Sequence, residues 1–168
     1  MISTKLWEII LNDPNLKVEI ASSRPNTHKI GSSIIMWYQN TNYSHVLVIV
    51  NDMVFEASHG MAHIDMMEKF LKENVIVNRI EIPKEKCDFE YLFSTLGNAY
   101  GYSQIIEIAS RYIFLLKLKL IRKFKYKDNG SSQVICSEYV GKVLRLDWVD
   151  DLTSPEEIVS YLLTIKKN

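Results

Sequence analysis

The spacing of apolar positions changes character about halfway along the chain. Ser3 can cap a short helix with Leu6, Ile9 and Ile10 on one face, stopped by "NDPN" at residues 12–15. "SSRPNTHKIGSS" (22–33), with Pro25 and Gly31, has the composition of a loop. "SIIMWYQN" (33–40) is rich in strand formers and predicts a strand, and "SHVLVIV" (44–50) predicts an apolar strand led by His45. Asn51 and Asp52 fit a two-residue turn, with "MVFEAS" (53–58) returning as the next strand. "HIDMMEKFLKEN" (63–74) has helical spacing through Ile64, Met67, Phe70 and Leu71, and "VIVNRIEIP" alternates as a strand that ends at Pro83.

From Asp88 the spacing becomes helical. It breaks near Gly97 and Gly101, resumes through "SQIIEIASRYIFLLKL" (103–118), and gives way to a loop at "KYKDNGSSQ" (125–133). Val140, Val143 and Leu144 follow Cys136 at helical spacing. "TSPEEIVSYLLTI" (153–165) has a capping Ser or Thr, Pro155 in the first turn, then Glu156 and Glu157. Strands gathered in the first half and helices in the second predict an α+β fold rather than a doubly wound sheet. The expected organisation is one domain over residues 1–168, with an N-terminal helix and loop at 1–29 and a core at 30–162.

Composition narrows the picture only a little. A chain of 168 residues, 47% hydrophobic and 24% charged, is long enough to bury a full core. Its 20 basic and 20 acidic residues balance, so overall charge points to no nucleic-acid partner. The acidic N-terminal stretch lacks the apolar core of a secretory signal, and no apolar run approaches the ~20 residues of a membrane span. Cys87 and Cys136 are the only cysteines, which makes a reduced, cytoplasmic setting the expectation.

Candidate chemistry begins with the hairpin. If Asn51 and Asp52 form its turn, Val50 faces Met53, Leu47 faces Glu56 and His45 faces Ser58. His45, Leu47, Glu56 and Ser58 then share one side of the sheet, with His45 and Glu56 as diagonal neighbours. A carboxylate placed so can hold an imidazole in one tautomer, the role of the third group in a catalytic triad. A histidine heading a strand is more often structural, but an inward glutamate on an apolar strand needs a partner, because an unpaired buried carboxylate is costly. Cys136 stands where loop gives way to helix. Unpaired N–H groups and the helix dipole there favour an anion, and with an imidazolium nearby they lower a thiol pKa. Spacing alone leaves it equally open to being a small buried hydrophobe.

Taken in order, "GSSIIMWY", "SHVLVIVND", "VFEASHG", "LGNAYGYSQ", "CSEYVGKVL" and "LTSPEEIVSYL" resemble the circularly permuted branch of the NlpC/P60 (papain-like) superfamily, in which histidine precedes cysteine. The likeness is to its YiiX-like bacterial and poxvirus G6-like members and spans roughly residues 30 to 162. It implies a small antiparallel sheet or half-barrel packed on helices, with Cys136 as nucleophile, His45 as general base and Glu56 as the orienting residue. It also implies an acyl-thioester mechanism that needs no cofactor or metal. Gly31-Ser32 departs from the Gly-Asp common in the family. Lecithin retinol acyltransferase-like relatives use a second histidine as third residue, which makes His59 and His63 alternatives to Glu56.

The expected activity is cysteine hydrolysis of a peptidoglycan-type amide. The alternatives are a lipid deacylase or acyltransferase, and a non-catalytic viral or phage binding module, so a virion or host-cell location is also open. Tyr100, Tyr102 and Ser137 are candidates for the substrate groove, against a packing role for the tyrosines. His59 and His63, four apart, lack a third ligand at informative spacing, so no metal is expected. Lys117, Lys119, Arg122, Lys123, Lys125 and Lys127 form a basic stretch that could meet an anionic membrane or polymer, against the plainer reading of a solvated helix end. Cys87 has no histidine companion in sequence and reads as structural.

Overall fold

The computed structural model describes residues 12–58, 61–98, 135–150 and 153–166. In chain order these form β1 (Val18–Pro25), α1 (Ile30–Gln39), β2 (His45–Val50), β3 (Met53–Ser58), β4 (Met61–Met66), α2 (Met67–Glu73), β5 (Asn74–Ile82), a 3-10 turn at Lys84–Lys86, α3 (Phe89–Ser94), α4 (Cys136–Val143) and α5 (Pro155–Ile165). The fold is α+β: one antiparallel sheet of five strands, ordered β4-β3-β2-β1-β5, packed against helices.

β2 lies at the middle of the sheet, and its β-branched run explains why. From Val46 to Val50 every side chain is buried, so the strand needs cover on both faces. On one face Val46, Val48 and Val50, with Val18 and Ile20 of β1, pack against Tyr139, Val140 and Val143 of α4 and Ile158, Val159 and Leu162 of α5. On the other, Leu47 and Ile49 join Ala21, Val54 and Phe70 in a smaller cluster roofed by α2.

Three expected elements come out differently. "SIIMWYQN" belongs to helix α1, not to a strand. A short apolar run does not distinguish the two states, and both edges of β2 are already taken, by β1 and β3. Asn40 closes α1 in the left-handed region (φ 51°) and donates its N–H to Met36 and Trp37 carbonyls. "HIDMMEKFLKEN" divides: its first part completes β4, and only Met67–Glu73 is helical. β1, in part read as loop at Ser22–Pro25, is the strand between β2 and β5. The Asn51-Asp52 turn does pair Val50 with Met53, and the "TSPEE" start does cap α5. There Ser154 and Glu157 form a reciprocal capping box with Pro155 in the first turn.

The packing of the segment after α4 depends on Gly141. A Cβ there would lie 2.5–2.8 Å from Cγ1, Cγ2 and Cβ of Val149, a branched side chain with little freedom to yield. Gly141→Ala should therefore destabilise the protein by roughly 1–3 kcal/mol through overpacking. Thermal unfolding would show this as a loss of about 2–4 °C per kcal/mol. An unchanged Tm would mean that the Val149 segment yields freely, against the close approach seen here.

Candidate active site

β2 and α4 bring the two central groups together. Cys136 is the first residue of α4, directly after the extended Ile135, and is 6% exposed. His45 is the first residue of β2. The sulfur accepts hydrogen bonds from the backbone N–H groups of Val46 and Ser137 and bonds to the His45 ring. His45 Nε2 lies 2.7 Å from Glu56 Oε2, which leaves Nδ1 as the nitrogen for the thiol. Extending the observed Val50–Met53 register puts Leu47 opposite Glu56 and His45 opposite Ser58, so the hairpin parity alone brings imidazole and carboxylate to one side.

The groups also set one another's charge. Burial by itself raises the Cys136 thiol pKa, but the His45 imidazolium and the two backbone donors outweigh it and bring the pKa below its ordinary 9.0. Burial by itself lowers that of His45. The facing thiolate and the Glu56 carboxylate outweigh this and push it up to about 10. Glu56, only 4% exposed, is opposed by burial as well, yet its bonds to His45 and His63 hold its carboxyl well below the usual carboxylate range. The arrangement favours a thiolate–imidazolium pair, with the carboxylate behind the imidazolium. Cys87 is the internal contrast: burial pushes its thiol up to about 11, and its Sγ bonds only weakly to the Pro83 carbonyl at 3.9 Å.

The other candidates divide. His63 does not face the thiol. It stands directly opposite Glu56 in the β3–β4 ladder, with Nε2 3.2 Å from Glu56 Oε1. Ser137 is fully buried and its hydroxyl donates to the Thr153 carbonyl, so it contributes its backbone N–H to the site rather than its side chain. His59, Tyr100, Tyr102, Lys117, Lys119, Arg122, Lys123, Lys125 and Lys127 lie outside the described residues. Two participants went unpredicted. The Val46 N–H on the sulfur has no signature in sequence. Asp65, 3.6 Å from His63 Nε2, follows from the alternation of β4 once Ser58 pairs with Met61.

Glu56, His63 and Asp65 place one ligand atom each within 4.8 Å of one another, a grouping that a metal ion could use. The same atoms already contact one another, and Lys69 Nζ closes the series on Asp65 Oδ1 at 2.5 Å.

Just before β2 in the chain, α1 has no buried residue, and Ile30 and Trp37 are 81% and 71% exposed. Residues 30–44, up to the start of β2, carry no charged side chain. An open pocket of about 740 Å³ lies between Arg24, Met36, Trp37, Tyr43 and the 40–42 turn, close in the chain to His45. Among the described residues no helix is long and apolar enough to cross a membrane. The chain matches no family model and no curated protein sequence.

Proposed function

We propose that the protein is a cysteine hydrolase of the permuted papain-like NlpC/P60 type, cleaving an amide bond through Cys136, His45 and Glu56. The observation that carries this reading is the continuous chain of contacts from a thiol at a helix N-terminus, through a histidine, to a buried carboxylate. In the forward step the Cys136 thiolate adds to the amide carbonyl carbon, and the charge passes to the carbonyl oxygen. Imidazolium Nδ1–H then gives its proton to the leaving nitrogen as the C–N bond breaks, leaving a thioester and neutral His45. His45 next takes a proton from water, whose oxygen attacks the thioester, and the acid leaves as the thiolate and imidazolium re-form. Glu56 holds His45 in the orientation that both halves require.

The sequence resemblance puts a peptidoglycan-type amide first among substrates. A second reading, deacylation or acyl transfer on a lipid, is favoured by α1, whose uncharged surface carries Ile30, Ile34 and Trp37 outward next to the pocket. Incubating the protein with muropeptides and with acyl phospholipids, and reading the mass added to Cys136 after acid quench, tests both. A trapped acyl group identifies the substrate class. No thioester with either, together with an unreactive thiol, would leave the fold as a non-catalytic module.

The pH dependence follows from the signs. Iodoacetamide labelling of Cys136 should rise at lower pH than for an ordinary thiol of pKa 9.0 and level off once the thiolate has formed. Hydrolysis should follow the same acid limb but fall again as His45 loses its proton near 10, because the leaving group then lacks a donor. Labelling of Cys136 that tracks Cys87, whose thiol titrates near 11, would contradict the ion pair.

A further inference from the structure

Glu56 has two oxygens, and the chain from Cys136 uses only one. Oε2 is on His45 at 2.7 Å, while Oε1 is on His63 Nε2 at 3.2 Å. The far side of the His63 ring is also engaged, with Nδ1 3.2 Å from the Met61 carbonyl. Both ring nitrogens therefore meet acceptors: the Met61 carbonyl on one side, and Glu56 Oε1 and Asp65 Oδ2 on the other. An imidazole can donate from both nitrogens only as the imidazolium. A neutral His63 would turn a lone pair either on the Met61 carbonyl or on the carboxylates.

The charged groups around His63 come from three elements: Glu56 on β3, Asp65 on β4, and Lys69 on α2, which reaches His63 through Asp65 and lies in the field of Glu73. In the ion-pair state charge alternates without a break from Cys136 (negative) through His45, Glu56, His63 and Asp65 to Lys69 (positive) at the surface. His63 is half of what holds a carboxylate that is only 4% exposed. Without it Oε1 would lose its charged donor, and the carboxylate would turn or draw in water at the expense of Oε2.

We propose that His63 is a positioning residue: by binding Glu56 Oε1 as an imidazolium, it keeps Oε2 on His45 and so sustains the thiolate at Cys136. This rests on the reading of Cys136, His45 and Glu56 as the reacting chain. Two consequences of removing His63 act in the same direction on the thiol. The lost cation leaves more negative charge near the sulfur, and the loosened carboxylate holds His45 less firmly. Both move thiolate formation to higher pH.

The test is the pH profile of iodoacetamide labelling at Cys136 in the full chain, with Cys87 as internal control, for wild type, His63→Ala and His63→Gln. The expected result for His63→Ala is an acid limb displaced upward by about one unit, hence about tenfold slower labelling on that limb. His63→Gln, which keeps one N–H donor without the charge, should recover part of the loss, and exogenous imidazole should do the same for His63→Ala. A merely structural role would lower Tm and leave the limb in place. If His63→Ala does not fold, His63→Gln alone decides, since its limb must also move. A wild-type profile in either folded variant overturns the proposal. If wild-type Cys136 already titrates like Cys87, it is the reading of the site that has failed, and His63 has nothing to position.

Discussion

Under the proposed mechanism, replacing Cys136 by alanine should cost at least about 10⁴-fold in hydrolysis, because the group that would form the acyl intermediate is gone. A second consequence needs no substrate. The thiolate is the foremost influence raising the His45 pKa to about 10, so Cys136→Ala should bring the His45 titration down, with Glu56 alone left to oppose burial. The His45 ring protons, followed by NMR across pH 5 to 11, report this directly. A His45 midpoint that is the same with and without the sulfur would mean that the two groups do not share a charge, and the proposed mechanism would lose its nucleophile. The fold should survive, since the sulfur is small and Tyr139, Val140 and Val143 carry most of the packing of α4.

Under the proposed mechanism, Glu56→Gln should cost up to about 10⁴-fold in turnover, the loss expected when the charge behind a catalytic histidine is removed. The amide matches the carboxylate in size but not in hydrogen bonding. Its oxygen can accept from His45 or from His63, and its NH₂ must then face the other ring, so one of the two contacts fails. The stability effect has a definite sign. The folded Glu56 carboxyl sits below its ordinary 4.5, so its contribution is fully present above that value and is lost as pH falls. Tm of the variant should therefore fall furthest below wild type at neutral pH, and the gap should close in acid. A Tm difference between wild type and variant that is the same at pH 7 and pH 3.5 would show that the folded Glu56 carboxyl is not held below its ordinary value.

Much of the α+β architecture is legible in the sequence because its signals are local. The apolar run "HVLVIV", the Asn51-Asp52 turn, the alternation of "VIVNRIEI" and the Ser154-Pro155 helix start each act within a few residues, and each takes the predicted form. The hairpin extends this to chemistry: a two-residue turn fixes parity, and parity alone puts His45 and Glu56 on the same side. Where competition between segments decides, local reading fails. "SIIMWYQN" has strand composition, but β1 occupies the edge of β2 that it would need, and β1 was partly hidden by its loop-like end at "SSRP".

By itself, then, the sequence determined the residue types of the site, their order along the chain and the pairing of histidine with glutamate, since these depend on periodicity and turn length. Only the tertiary structure decided that the N-terminus of α4 comes against the start of β2, 91 residues earlier in the chain, at Val46 N–H and His45. It also decided that His63 binds the far oxygen of Glu56 instead of replacing it. The physical reason is that the apolar face of α4 is buried against the sheet through the core around Tyr139. No local pattern encodes that contact, and the charge of the thiol depends on it.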